Sequence, residues 1–137
     1  MPAPAQLDIT QNGQRVPVLA QIGKTGWMFI LDRRTGKPVF GVDERPVAKG
    51  DVPGEWYAAT QRYPGKPREL AGMSFSYDHL VTAVDTTPTH AANCRALYEK
   101  SGGFYNAGPF TPFLYHEEGT PPRSSIIFPG ATGGTNW

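Results

Sequence analysis

The chain lacks most of the devices that stabilise or localise a small protein. It has a single cysteine, Cys94, which excludes an internal disulfide and reads most simply as a small buried helix residue. No apolar run approaches the roughly 18 residues that cross a bilayer, so no stretch of the 137 residues reads as a transmembrane helix. Neither sign of charge dominates. Thirteen Lys and Arg stand against twelve Asp and Glu, and a formal charge of +1 creates no field that would gather nucleic acid or an anionic membrane surface. The three histidines, His79, His90 and His116, lack the short spacing of a metal site and read as exposed or helix-capping residues. Gly102-Gly103 and Gly133-Gly134 stand outside any Gly-x-x-x-x-Gly-Lys pattern, which excludes a phosphate loop. Nothing places Asp43, Glu44 and Glu55 on one face, so they read as salt-bridging or solvated groups and not as the paired carboxylates of a hydrolase. No internal repeat is visible.

Turn formers are abundant. Sixteen glycines and fourteen prolines make about a fifth of the chain, below the ~25 to 30% of low-complexity sequence. With 39% hydrophobic and 12% aromatic residues, the composition fits a folded β-rich protein better than a disordered one. Leu7 and Ile9 alternate with polar neighbours before the Asn12-Gly13 turn signal, and Val16, Val18 and Ala20 resume the period of two. Turn signals at 23–26 and 32–36 then separate further apolar runs. The pattern predicts strands near 5–10, 15–22, 27–32 and 38–42, a four-stranded antiparallel meander. From Asp43 to about Pro122, prolines recur too often for a sheet. This stretch reads as a partly helical insertion. Thr87-Pro88 reads as an N-cap with proline at the first helical position, Ala91, Cys94, Leu97 and Tyr98 follow at helical spacing, and Gly102-Gly103 ends the run, predicting a helix near 88–101. A weaker helix is expected from Arg68 to about Val81, and a short strand over 125–128. Trp56, Tyr57, Tyr63 and Tyr105 offer stacking faces for a sugar, against a default of packing the insertion over the rest of the protein.

Residues 23–37, Gly-Lys-Thr-Gly-Trp-Met-Phe-Ile-Leu-Asp-Arg-Arg-Thr-Gly-Lys, join one tight turn, one apolar strand and a second turn. Lys24 there is a fixed cation at the mouth of a sheet, of the kind that an acidic or carbonyl-rich cofactor requires. The segment closely resembles the Lys-Thr-Gly-x-x-Phe-x-Leu-Asp-Arg stretch of the pyrroloquinoline quinone (PQQ) dehydrogenases, particularly the membrane-bound glucose, quinate and polyol branch. The resemblance continues in the same order through Met-Pro-Ala-Pro-Ala-Gln-Leu-Asp-Ile at 1–9, Asp51-Val52-Pro53-Gly54-Glu55, Thr60-Gln61-Arg62-Tyr63-Pro64-Gly65-Lys66-Pro67, Gly108-Pro109-Phe110-Thr111-Pro112, and Phe128-Pro129-Gly130 through Asn136-Trp137. It covers nearly the whole chain.

That resemblance implies a mainly β fold, an eight-bladed β-propeller whose four-stranded blades repeat every ~40 to 50 residues. The chain is then expected to be an antiparallel propeller-blade fragment with a Pro/Gly-rich, partly helical insertion. Its parts would be one blade at 1–42, the insertion at 43–124, and at 125–137 a strand leading into the next blade. By the same resemblance, Lys24 is expected to be both a catalytic and a cofactor-binding residue, reaching the quinone oxygens and stabilising the negative charge that develops there as the substrate gives up its hydride. Asn136 and Trp137 resemble the family's Gly-x-Asn-Trp element, whose asparagine points at the quinone. The implied function is a segment of a PQQ-dependent oxidoreductase that oxidises sugars, polyols or cyclic alcohols and passes electrons to a quinone or other acceptor. The family's calcium or magnesium has no identifiable ligands here, and its general base, in a Trp-Asp element, lies outside this chain, so the isolated chain is expected to be inactive. A periplasmic, inner-membrane-associated setting is also implied. The competing reading is a non-catalytic, propeller-derived interaction or assembly module. In either case an incomplete blade is expected to pack against the remaining blades or against itself, through one face bearing Val18, Phe29 and Leu31 and another bearing Met28 and Ile30.

Overall fold

The computed structural model describes residues 3–130. Asn136 and Trp137 lie outside the described residues. Among the described residues the chain is mainly β, with two antiparallel sheets, one short parallel strand pair and one α-helix, and it divides into two units. The first comprises residues 3–46, 60–73 and 128–130, and the second 47–59 and 74–127.

In the first unit, β1 (Ala5–Gln11), β2 (Gln14–Ile22) and β3 (Met28–Asp32) form an antiparallel sheet in that order. Asn12 (φ 52°) and Gly13 (φ 77°) make the two-residue connection between β1 and β2. Positive φ at both central residues is what a tight hairpin turn demands, and Asn-Gly is the pair that adopts it most readily. The register sets Leu7 beside Val18, Ile9 beside Val16, Ala20 beside Ile30, and Ile22 beside Met28. Because directly paired residues share a face, Val18 lies with Met28 and Ile30, while Leu19 and Gln21 lie with Leu31 and Phe29. The expected grouping of Val18 with Phe29 and Leu31 is therefore corrected: the register places it on the opposite face. Val18 is completely buried.

The expected fourth strand at 38–42 shrinks to one bridge, Leu31 to Pro38, followed by a bond from the Val39 N–H to the Ile30 carbonyl at 2.9 Å. Pro38 has no N–H to continue the ladder, and Gly41 at φ 76° turns the chain away. The next strand, β4 (Val42–Pro46), pairs instead with β5 (Thr60–Pro64). A two-stranded sheet thus lies where the prolines argue against one. Pro46 and Pro64 occupy the last positions of their strands, where a missing N–H is tolerated.

The weaker helix expected over 68–81 is reduced to a single 3₁₀ turn, Tyr77–His79. In the first unit the Leu70 N–H bonds the Gly26 carbonyl at 3.1 Å, and such a long-range bond competes directly with helical pairing. Helix α1 (Pro88–Lys100) forms in the second unit as its caps predict, with the Thr87 hydroxyl accepting from the His90 N–H at 3.2 Å and Pro88 at the first position. Ala91 is buried and Cys94 and Tyr98 are half-buried along one stripe, while Leu97 is 58% exposed. The strand expected over 125–128 is confined to β7 (Ser124–Ser125), which pairs in parallel with β6 (Phe104–Tyr105). Phe75, Tyr98 and Phe104 stack around this second unit's centre, with Phe104 at 5.3 Å from Tyr98 and 5.8 Å from Phe75, edge to face.

Candidate functional site

Lys24 sits at the tip of the β2–β3 connection and is exposed. The Gly26 N–H bonds the Gly23 carbonyl at 3.0 Å, and the Gly23 N–H bonds the Trp27 carbonyl at 2.9 Å. With Gly26 at φ 74°, this is a three-residue hairpin loop closed by a left-handed glycine. Immediately after it, Trp27 is only 8% exposed and meets Tyr63 edge to face at 5.6 Å, while the Arg45 guanidinium covers the other ring at 4.8 Å from the Tyr63 centroid. The Trp27 Nε1 is buried without a hydrogen-bond partner among the described residues, so packing is what holds this indole in place there.

The cations at the opposite end of the same sheet are engaged. Arg15 and Arg33 both pair with Asp8, and Arg33 also donates to Gln6 at 3.0 Å. Arg34 forms two side-chain bonds to the Asp32 carboxylate, at 2.7 and 3.1 Å, and its backbone N–H adds a third at 2.8 Å. These bonds hold the Asp32 carboxyl at about 2, the Arg34 side chain contributing most and its N–H next. The Asp8 carboxyl is likewise lowered, chiefly by Arg15. Among the described residues no carboxylate pairs with Lys24. A cation on a closed turn with its charge uncompensated suits an anionic or quinone-bearing ligand, so the donor chemistry present fits PQQ, which carries carboxylates and quinone oxygens.

The remaining candidate groups are dispersed. Asp43 pairs with Arg45 at 3.0 Å, and Glu44 accepts from the Thr60 hydroxyl at 2.6 Å. Glu55, in the second unit, accepts from the Tyr57 hydroxyl at 2.7 Å. Burial, and then the neighbouring Glu55, raise the Tyr57 hydroxyl above its ordinary value. Tyr63 is a packing residue, whereas Trp56 is 86% exposed. The His79 Nδ1 accepts from the Ser76 N–H at 3.2 Å, a turn-capping role. No cluster of three metal-ligating side chains exists among the described residues. No described helix is long and apolar enough to cross a membrane.

Asn106 and Thr111 of the second unit have a bonding role that their sequence context does not assign. The Asn106 Oδ1 accepts from the Phe75 N–H at 3.0 Å and the Gly108 N–H at 3.1 Å, while its Nδ2 donates to the Ile126 carbonyl at 2.8 Å and the Thr111 hydroxyl at 3.2 Å. Buried Thr111 accepts from the Ala107 N–H at 2.8 Å and donates to the Gly108 carbonyl at 2.6 Å. The signal was Asn-Ala-Gly-Pro, in which an Asn side chain bonds its own backbone two residues on. Asp51 ties a third connection by accepting from the Tyr115 N–H at 2.8 Å and Arg123 at 2.5 Å, and the first of these bonds does most to lower its carboxyl.

A propeller blade is a four-stranded antiparallel meander, and β1–β2–β3 supplies three strands of that pattern, with Lys24 on the loop between the second and third. The family model for the glucose/ethanol/alcohol dehydrogenase β-propeller domain matches residues 1–137, and the chain belongs to that PQQ family. It is 34% identical to the quinoprotein glucose dehydrogenase of Escherichia coli (strain K12), with 98% of this chain and 15% of that protein covered. The quinate/shikimate dehydrogenase (quinone) of Acinetobacter baylyi is 31% identical, with 93% of this chain and 14% of the relative covered. The glycerol dehydrogenase large subunit of Gluconobacter thailandicus is 32% identical over 92% of this chain and 16% of its own length. The chain thus spans about 15% of the length of the curated relatives it matches. No solved structure matches it.

Proposed function

We propose that this chain is the segment of a PQQ-dependent dehydrogenase that presents Lys24 to the cofactor, in an enzyme oxidising the CH–OH group of a sugar, polyol or cyclic alcohol. The observation that carries this reading is the uncompensated Lys24 ammonium on a hydrogen-bonded turn, inside the stretch that most resembles the family. The bound quinone would supply the two-electron acceptor for the substrate's hydride equivalent. Lys24 would donate a hydrogen bond to a cofactor oxygen and stabilise negative charge there, a contribution that grows along the reaction. Asp32 and Asp8, neutralised by their arginines, leave that positive field undiminished. Asn136 and Trp137 are proposed as further cofactor contacts, and a calcium or magnesium ion would draw its ligands from other parts of the protein. The proton-accepting base would likewise come from elsewhere, so the isolated chain should be inactive.

A quinone acceptor is supported by the name of the Acinetobacter relative, and a periplasmic, inner-membrane-associated setting by the branch that the motif resembles. The non-catalytic module is not favoured, because the relatives carry dehydrogenase names. In the full-length enzyme, Lys24→Ala should lower kcat by ~10² to 10³-fold, the scale for removing one donor to a developing charge, with a much smaller loss of PQQ affinity. A loss confined to PQQ affinity would reduce Lys24 to a binding residue.

A further inference from the structure

We propose that Met73 is a positioning residue for Lys24, acting through Gly26; this rests on the cofactor-contact reading above. Lysine's four-carbon stem is flexible, so the backbone that bears it decides where its ammonium can reach. Three bonds hold that backbone: two close the turn, and the Leu70 N–H reaches the Gly26 carbonyl from outside it at 3.1 Å. Beneath the turn, a Cβ on Gly26 would lie 3.0 Å from the Met73 Cε, 3.3 Å from the Ala71 Cβ and 3.4 Å from the Pro129 Cγ. The loop therefore lies close against this platform: a side chain at Gly26 would push its neighbours back by a few tenths of an ångström, and φ 74° disfavours one in any case. Met73 is buried, as are Val18, Trp27 and Ala91. Its methyl group lies nearest to that position and is the part of the platform that a substitution can remove without altering the backbone. Shortening it opens space under Gly26, into which the turn can settle, displacing Lys24 two residues away. A displacement of an ångström at a reacting group is worth up to ~10²-fold in rate.

The test uses the full-length holoenzyme in a double-mutant cycle of Met73→Ala and Lys24→Ala, with Met73→Leu as the volume-conserving control. Three quantities are read: kcat against KM, the PQQ Kd from titration of the apoenzyme, and the absorption spectrum of the bound cofactor. Met73→Ala should lower kcat about tenfold with substrate KM within twofold, and should move the cofactor spectrum in the same direction as Lys24→Ala. Met73→Leu should recover most of both. In the Lys24→Ala background, Met73→Ala should add almost nothing to the loss of kcat or to the spectral change. Full additivity, or a Met73→Ala spectrum identical to that of the unmodified enzyme, overturns the inference while leaving the role of Lys24 standing. If Lys24→Ala itself changes neither kcat nor spectrum, the functional reading falls, and the positioning role falls with it. Met73→Val, a milder truncation, replaces Met73→Ala in the same cycle if the latter does not accumulate as folded enzyme.

Discussion

Replacing Asn106 by alanine removes four hydrogen bonds at once, and those bonds join parts of the second unit that are distant in sequence. Its amide connects Phe75, the turn at Gly108, the Thr111 hydroxyl and the Ile126 carbonyl. Each such bond contributes ~0.5 to 1.5 kcal/mol net, and a donor left unsatisfied in a shielded place costs ~1 to 3 kcal/mol. Because Asn106 is half-buried, water can reach some of the abandoned groups, and a loss of about 3 kcal/mol is expected instead of the larger sum. Hydrogen–deuterium exchange of the full-length enzyme is the suitable assay, since it reads local opening without requiring a single unfolding transition. The amides of Phe75 and Gly108, which donate to Oδ1, should exchange on the order of 10- to 100-fold faster in Asn106→Ala, the equivalent of ~1.4 to 2.8 kcal/mol. Asn106→Asp retains an acceptor for both amides but sets a carboxylate oxygen against the Ile126 carbonyl, so its loss should shrink as acid protonates that carboxyl and restores a donor. Unchanged exchange at both amides in Asn106→Ala would refute the view that this side chain ties the unit together.

Two further outcomes follow from the first unit. The Asp32 carboxyl, held at about 2 against 3.8 by its bonds to Arg34, should stabilise the folded turn fully above the ordinary carboxylate value and lose that contribution as pH falls through about 2. A carbon-13 NMR titration should place its midpoint near 2, and Arg34→Ala should move the midpoint upward; an ordinary midpoint in the unmodified protein would contradict the bidentate pair. The chain expressed alone should self-associate, because β1 pairs with strand β2 alone among the described residues, Leu7 is exposed, and few apolar residues are buried. A monodisperse, cooperatively folding monomer at micromolar concentration in analytical ultracentrifugation would contradict this.

Local chemistry determined much of this protein from the sequence alone. Asn12-Gly13 dictated the first hairpin because few other pairs accept two positive φ angles, and Thr87-Pro88 began the helix because the Thr87 hydroxyl satisfies one orphan N–H and Pro88 has none to satisfy. Alternating apolar residues placed β1 and β2, a continuous apolar run between two turns placed β3, and the Lys-Thr-Gly stretch with its flanking residues pointed to the family. Tertiary structure decided what such short-range signals cannot carry. The period of two shows that Val18 faces away from its neighbours but not which residues of β3 stand beside it, since that depends on the hairpin register. Pairing of 42–46 with 60–64 requires closing a long loop, and the prolines that obscured it occupy strand ends that only the pairing defines. Residues 68–81 have helical spacing, yet the bond from Leu70 to Gly26 and the burial of Met73 draw part of that stretch into extended contact with the Lys24 turn. Asn106 is an ordinary turn residue in the sequence; its importance arises from Phe75 and Ile126, which folding alone brings within reach of one amide.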